Sequence, residues 1–507
     1  MKTIILTFIF LLQINAIFAT NYYVDGSISK SGNGSINNPF KTIEESINQA
    51  GAGDTIFIFG GIYYESYLEP AGGSTNNWLV ITNMPGNEVI LDGGGPSEEN
   101  YSGFYIHQPL QSYIEISGLK IRNYYDIGVD LRDCGKITIK NCELYNNGSA
   151  GIALNYPNAQ TRIIVEDCIA HHNGWGIGWA SGIHLNNKGT PTNEPHIIRR
   201  NICYNNYDGS DYHTDGNGIM FDVGGGGSCI IENNICFNNG GSGINVLNGN
   251  AIIVNNTLFR NAWDPQQSAQ QGYSHEIYLG EDIDGQVTEI ILQNNIIYSR
   301  HNVPILVVDI IGNIEDHIIF DHNLLWNDDG QSGIILPSEL NQFINGNPLF
   351  VSTVNDNTTT TLYGAPFLNM NYNDYNLYLQ GNSPAIDAGI ANNAPNHDIN
   401  RQTRPFGNAV DIGAYEYTST NSIFENNSLS DFYIYPNPAK NSIYIENNNS
   451  QFKNIKIEIY TITGKLIKSN IVLSNNHIID VSELQNGIYL MKLYDDDKFH
   501  IHILIKN

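Results

Sequence analysis

"CIIENNICFNNGGSGINV", Cys229 to Val246, contains an apolar pair, two asparagines, a short apolar run, a second Asn pair with glycines, then "GI" and another alternating stretch. Runs of three to five residues with period-two alternation read as strands, and the Asn and Gly clusters between them as turns. The phrase decides the fold because it recurs between Tyr113 and Trp326. KITIKNCELYNNGSAGIAL, RIIVEDCIAHHNG…SGIHL, HIIRRNICYNN…GNGIMF and AIIVNNTLFRN…HEIYL are further copies. Gly128 and Gly151 lie 23 residues apart, and Gly218 and Gly243 lie 25 apart. A repeat of that length with three short strands is one coil of a stacked cylinder.

The expected fold is therefore all-β, a right-handed parallel β-helix. Successive coils bury Ile, Val, Leu and Phe inside, with equivalent residues stacked at about 4.8 Å. Aligned on the repeat, Asn201, Asn234, Asn256, Asn295 and Asn323 fall in one column. They are expected to form an inward asparagine ladder at a corner, each amide bonding the next. Cys142 falls on Cys168 and Cys203 on Cys236, giving buried free-thiol stacks or, as the alternative, a disulfide.

Composition narrows the function classes. A net charge of −27 leaves no basic stripe for phosphates, so nucleic acid is not an expected partner. Lys2, an apolar run from Ile4 to Leu12 and a small-residue end at Ala19 read as a signal peptide over 1–19. Thr42, with Glu45 three residues on and Ile43, Ile47 and Ala50 on one face, reads as a capped helix plugging the cylinder's open end.

Phe40–Glu65 resembles the entry segment of secreted β-helix proteins of the pectate lyase superfamily, particularly polysaccharide lyase family nine. The similarity runs on to about Trp326. "SPAIDAGI" (Ser383–Ile390) and "DINRQTRPFGNAVDIGAYEY" (Asp398–Tyr417) resemble the closing segment of surface β-helix proteins. They are expected to cap the helix, with a calcium site on Asp387, Asp398 or Asp411 as the alternative. Beyond a polar linker (421–431), alternating strands with turns at Gly464 and Gly487 make a small β-sandwich over 432–507. This part is similar to the type A sorting domain of the type IX secretion system of Bacteroidetes. The resemblance implies handling by the type IX machinery and a secreted or surface-held product; the β-helix is expected over 20–420 and the protein is expected to be a monomer.

Most coils cross from "NNG" to "GI" in three or four residues; three do not. WGIGWAS precedes Gly182, YDGSDYHTDGN precedes Gly218 and AWDPQQSAQQGYSH precedes Glu276. In-register stacking sends all three loops out on one side. The short coil between the second and third then becomes the floor of a groove. Alternation turns the isoleucines of GIHL, GIMFD and GINV inward, so His184, Met220, Asn245 and Asp222 point out. Asp208, Asp211, His213 and Asp215 stand on one wall, His275 and Glu276 on the other. Trp175, Trp179, Trp263 and Tyr273 offer faces of the kind sugars stack on, and Arg260 a cation.

These residues suit cleavage of a polysaccharide. In a lyase, a cation neutralises a uronate carboxylate, a base removes the C5 proton, and the glycosidic oxygen leaves. Asp208, Asp211 and Asp215 are candidate Ca²⁺ ligands. The lyase family uses a DDxxD-type calcium cluster and a lysine base. Here the aspartates are three and four residues apart, and no lysine occurs between Lys188 and Lys440. The base must then be His213, His184, a tyrosine or an arginine such as Arg260. The alternatives are a hydrolase and a non-catalytic carbohydrate-binding surface protein. "HTDG" (His213–Gly216) is similar to the "NTDG" turn of polygalacturonase-type hydrolases, which implies Asp215 as acid with Asp222 or Glu276 as base.

Overall fold

A computed structural model describes residues 19–506, apart from 109–110, 156–161, 177, 187–193, 223–226, 248, 265, 267–274, 281–288, 309–316, 329–333, 338–339, 355–357, 419–431, 436–438, 448–453, 462–464, 474–476, 486 and 495–498. The leader's apolar run, the linker, Gly464 and Tyr273 lie outside the described residues.

Residues 1–418 form one compact unit and 419–507 a second. The first is a parallel β-helix of three sheets, with 11, 11 and 8 strands in successive coils. The first sheet runs from Asn21–Val24 to Ile318–Asp321, the second from Gly61–Tyr63 to Phe343–Asn345, and the third from Ser102–Ile106 to Ile305–Val308. Register pairs like with like: Ile56, Ile81, Ile116, Ile139, Val165, Ile198, Ile231 and Ile253 form one inward column. All eight are fully buried.

The paired asparagines have a division of labour. At the corner between the first and second sheets, Asn233, Asn255 and Asn294 take positive φ (54°, 55° and 54°). Asn is among the few L residues that tolerate this conformation. The next residue turns inward, and Asn201, Asn234, Asn256, Asn295 and Asn323 form the ladder, with amide bonds of 2.9–3.0 Å. A second ladder, not foreseen from sequence, occupies the corner between the second and third sheets. There Asn147, Asn173, Asn206, Asn239 and Asn261 are linked at 2.8–3.0 Å. All six cysteines are buried free thiols.

The entry helix, Ile43–Ile47, has the capping box of Thr42 and Glu45 and buries Ile43 and Ile47 against the end of the core. Glu65 adds a second anchor, its carboxylate accepting the N–H groups of Ile43 and Glu44 at 2.9 Å. The segment around Ser383–Ile390 and Asp398–Tyr417 does not close the end of the helix. It lies along the side, over the outer face of the second sheet. Asn233, Asn255 and Asn294 donate to carbonyls of His397, Asp411 and Ile390. The cause is the outward column Tyr204, Phe237, Phe259, which needs cover and packs with Phe350, Leu377, Ile399 and Ile412. Asp387, Asp398 and Asp411 are committed to backbone N–H groups of this strap.

In the second unit, sheets of three and four antiparallel strands share a core of Ile443, Ile445, Ile479, Ile457, Ile459, Met491 and Leu493. This is a small β-sandwich.

Candidate active site

The three long loops all leave the corner between the second and third sheets. They follow strands ending at His171, Tyr204 and Phe259 and lead into strands starting at Ser181, Asn217 and Ile277. Among the described residues, the loops before Gly218 and before Glu276 meet over the short turn between them. Ala262 and Asp264 donate backbone N–H groups to Gly241 and Gly240, and Trp263 stacks on Tyr207 at 5.2 Å. His213 Nδ1 sits 3.0 Å from Asp264 Oδ2 and 3.4 Å from the Tyr207 hydroxyl, so it joins two loops. Asp264 was not singled out from sequence; only the loop-to-loop contact reveals it.

The outward face of the third sheet carries the chemistry. Register sets His184 beside Met220, and Met220 beside Asn245, with Asp222 in the next outward row. His184, Asp222 and Asn245 are 1%, 3% and 2% exposed. His184 Nε2 lies 3.7 Å from Asp222 Oδ2. Among the described residues, both His184 ring nitrogens, Asp222 Oδ1 and Asn245 Oδ1 have no hydrogen-bond partner. Buried polar atoms are rarely left so, and groups of this kind gather where a ligand binds. Asp215 reaches this group from its loop. Burial pushes its carboxyl up to about 7; the charges of Asp208 and Asp222 push the same way and His184 opposes them. Trp179, 60% exposed, lies parallel to the His184 ring at 6.3 Å.

Other expected site residues are placed elsewhere. Trp175 is buried, donates its indole N–H to the Asn146 carbonyl, and packs with Tyr207, Phe367 and Trp263 beneath the loops. Arg260 is buried at the corner, 3.4 Å from Asp328. His275 Nδ1 contacts the Val303 carbonyl at 2.7 Å. The expected calcium ligands do not converge. Asp208 is buried and accepts the N–H groups of Ser210, Thr214 and Asp215 at 2.9–3.1 Å, Asp211 is exposed, and Asp215 belongs to the His184 group. Among the described residues no three His, Cys, Asp or Glu side chains stand together as a metal cluster. This donor set does not fit Ca²⁺.

Glu276 is corrected most firmly. It occupies the position that glycine holds in the preceding coils, and its carboxylate turns onto Asn261, accepting the backbone N–H at 2.9 Å and the side-chain amide at 2.6 Å. It ends the second asparagine ladder rather than facing a substrate. Burial raises its pKa from 4.5 to about 8, outweighing the Asn261 bonds that lower it. A raised carboxyl favours folding below its unfolded value, and that contribution fades as pH climbs towards the folded value. Glu276→Gln should extend the ladder without titrating. Relative to wild type, the variant should gain about 1.4 kcal/mol per pH unit between the two values. Denaturation across this range checks it; parallel curves would show that Glu276 does not titrate there.

With the geometry set out, similarities to known proteins can be placed on it. Residues 22–182 match the family described as Pel9A-like, right-handed beta helix region, and residues 433–507 match the secretion system C-terminal sorting domain. Pectate lyase PEL9 of Emericella nidulans is 27% identical over 204 residues, 38% of this chain. That match spans 49% of the fungal protein's length. Among solved structures, pectate lyase Pel9A is 16% identical, with TM-score 0.44, covering 80% of this chain and 98% of that one. A rhamnogalacturonan lyase is 15% identical, with TM-score 0.40, covering 65% and 87%. Over residues 22–182 the first unit is similar to Pel9A-like right-handed β-helix regions. The second is a type IX sorting domain, which directs the protein to the cell surface or the medium.

Proposed function

We propose that this is a secreted polysaccharide lyase that cleaves a uronate-containing chain by β-elimination, with His184, Asp222 and Asp215 at the reacting bond. One observation carries the reading: a buried imidazole and a buried carboxylate with unpartnered polar atoms, facing a carboxyl that burial keeps protonated to near neutrality. In this scheme His184, oriented by Asp222, takes the C5 proton. The C–H electrons form the C4–C5 double bond, the C4–O bond breaks, and Asp215 passes its proton to the departing oxygen. A neutral Asp215 also spares an acidic substrate one repulsion in a strongly anionic protein. Asn245 is placed to hydrogen-bond the substrate, and Trp179 to stack on a sugar face.

The raised Asp215 also favours a second reading, a hydrolase with Asp215 as acid and Asp222 as base acting on water. Incubation with plant and algal polysaccharides separates the two. Elimination creates the ultraviolet absorbance of an unsaturated uronate, whereas hydrolysis creates reducing ends without it. Neither product from any uronate polymer would defeat both readings and leave a carbohydrate-binding protein.

A further inference from the structure

The same face of the third sheet carries a second group, towards the N-terminal coils. Arg132 is the one Arg or Lys in the described strands of this sheet. Its guanidinium is fixed on Asp130, Nε at 3.1 Å from both carboxylate oxygens and one Nη at 2.8 Å. Asp130 is fully buried, while the Arg132 side chain remains 32% exposed. The guanidinium carbon lies 5.2 Å from the centre of the Tyr105 ring. Tyr105 stacks on His107 at 4.5 Å and meets Tyr67 edge-on at 5.9 Å. Tyr67 is 44% exposed and takes a positive φ of 53°. Asn155, next to Arg132 in register, reaches Asp130 at 3.4 Å.

Register connects this group to the active site. Asp130 pairs with Ala153, and Ala153 with His184, so two coil steps, about 10 Å, separate the rows. Each step is close to the length of one sugar in an extended chain. The small Ala153 between them leaves the path along the sheet unobstructed by a long side chain.

We propose that Arg132, with Tyr105 and Tyr67, forms a distal subsite that binds the carboxylate of an acidic sugar about two residues from the bond cleaved at His184. This deepens the lyase reading and rests on it for the position of the cleaved bond. Arg132 is held as a planar fork with its other Nη free of hydrogen bonds among the described residues, the arrangement suited to a carboxylate. The tyrosines supply the stacking face. The chain then lies parallel to the helix axis, and an acidic polymer is selected in a protein whose net charge would otherwise repel it.

Binding is measured on Asp215→Asn protein, so that turnover does not intervene, by calorimetry with oligogalacturonate and with a neutral xylo-oligosaccharide of equal length. Oligogalacturonate should bind in preference to the neutral chain. Arg132→Gln alone would strand the buried Asp130 carboxylate, so the double variant Asp130→Asn/Arg132→Gln is used. It should lose about 10- to 100-fold in affinity for oligogalacturonate and little for the neutral chain. Tyr67→Ala, at a partly exposed ring, should weaken binding by about fivefold. Unchanged affinity in both variants overturns the subsite even if unsaturated product still forms. Arg132-dependent binding without unsaturated product keeps the subsite and removes the lyase reading.

Discussion

Asp215→Asn is expected to lower turnover by about 10²- to 10⁴-fold. Asparagine keeps the shape and removes the transferable proton. Because burial puts this carboxyl near 7, the acid form prevails below that pH and is lost above it. Wild-type turnover should therefore fall as pH rises through about 7, and the residual activity of the variant should lack this limb. His184→Ala should cost a similar factor, and Asp222→Asn somewhat less, since Asp222 acts through the imidazole. His213→Ala should be milder, because that ring bridges Asp264 and Tyr207. A full alkaline limb in Asp215→Asn would assign the proton to another group. Near-full activity in both Asp215→Asn and His184→Ala would move the chemistry off this face.

The fold was legible because a β-helix writes one residue per coil at each structural position. The first asparagine of each pair supplies the left-handed bend and the second the ladder, so the dipeptide announces both. The outward set of His184, Asp222 and Asn245 followed from the same alternation. What alternation does not encode is how loops fold over one another. Trp175 and Trp179 sit four residues apart in one loop, yet one is buried and the other exposed. The difference is made by Tyr363 and Phe367, nearly two hundred residues on, which fill the space beside Trp175 and Tyr207. Glu276 misled for a related reason. An acidic residue in place of a repeat glycine reads as functional, and only the side-chain direction shows that it completes a ladder. The strap was misplaced because its own sequence says nothing of which surface it covers. That surface is marked by the outward aromatic column Tyr204, Phe237 and Phe259, whose members stand 33 and 22 residues apart in sequence.

Asn234→Ala is expected to be the most destabilising single change in the helix. The Asn234 Oδ1 accepts the backbone N–H and side-chain amide of Asn201, and its Nδ2 donates to the Ile198 carbonyl and the Asn256 Oδ1. All of these groups are buried away from water. Alanine strands them at about 1–3 kcal/mol each, for a loss on the order of 4 kcal/mol or more once partial relaxation is allowed. Stability of a whole domain is about 5–15 kcal/mol, so much of the folded population is at risk. The column itself suggests a gentler substitution. In its earlier coils Cys142 and Cys168 stand where asparagine stands later, their thiols 3.3 Å from the Lys140 and Glu166 carbonyls and 3.8 and 3.6 Å from those of Ile116 and Ile139. Cysteine can thus make a weak version of the same bonds, and Asn234→Cys should lose about half as much as alanine. Denaturant melts rank the two variants, and hydrogen exchange at the Asn201 amide reports whether that N–H has lost its acceptor. Equal stability of Asn234→Ala and wild type would mean that the inward apolar columns hold the coils together without the ladder.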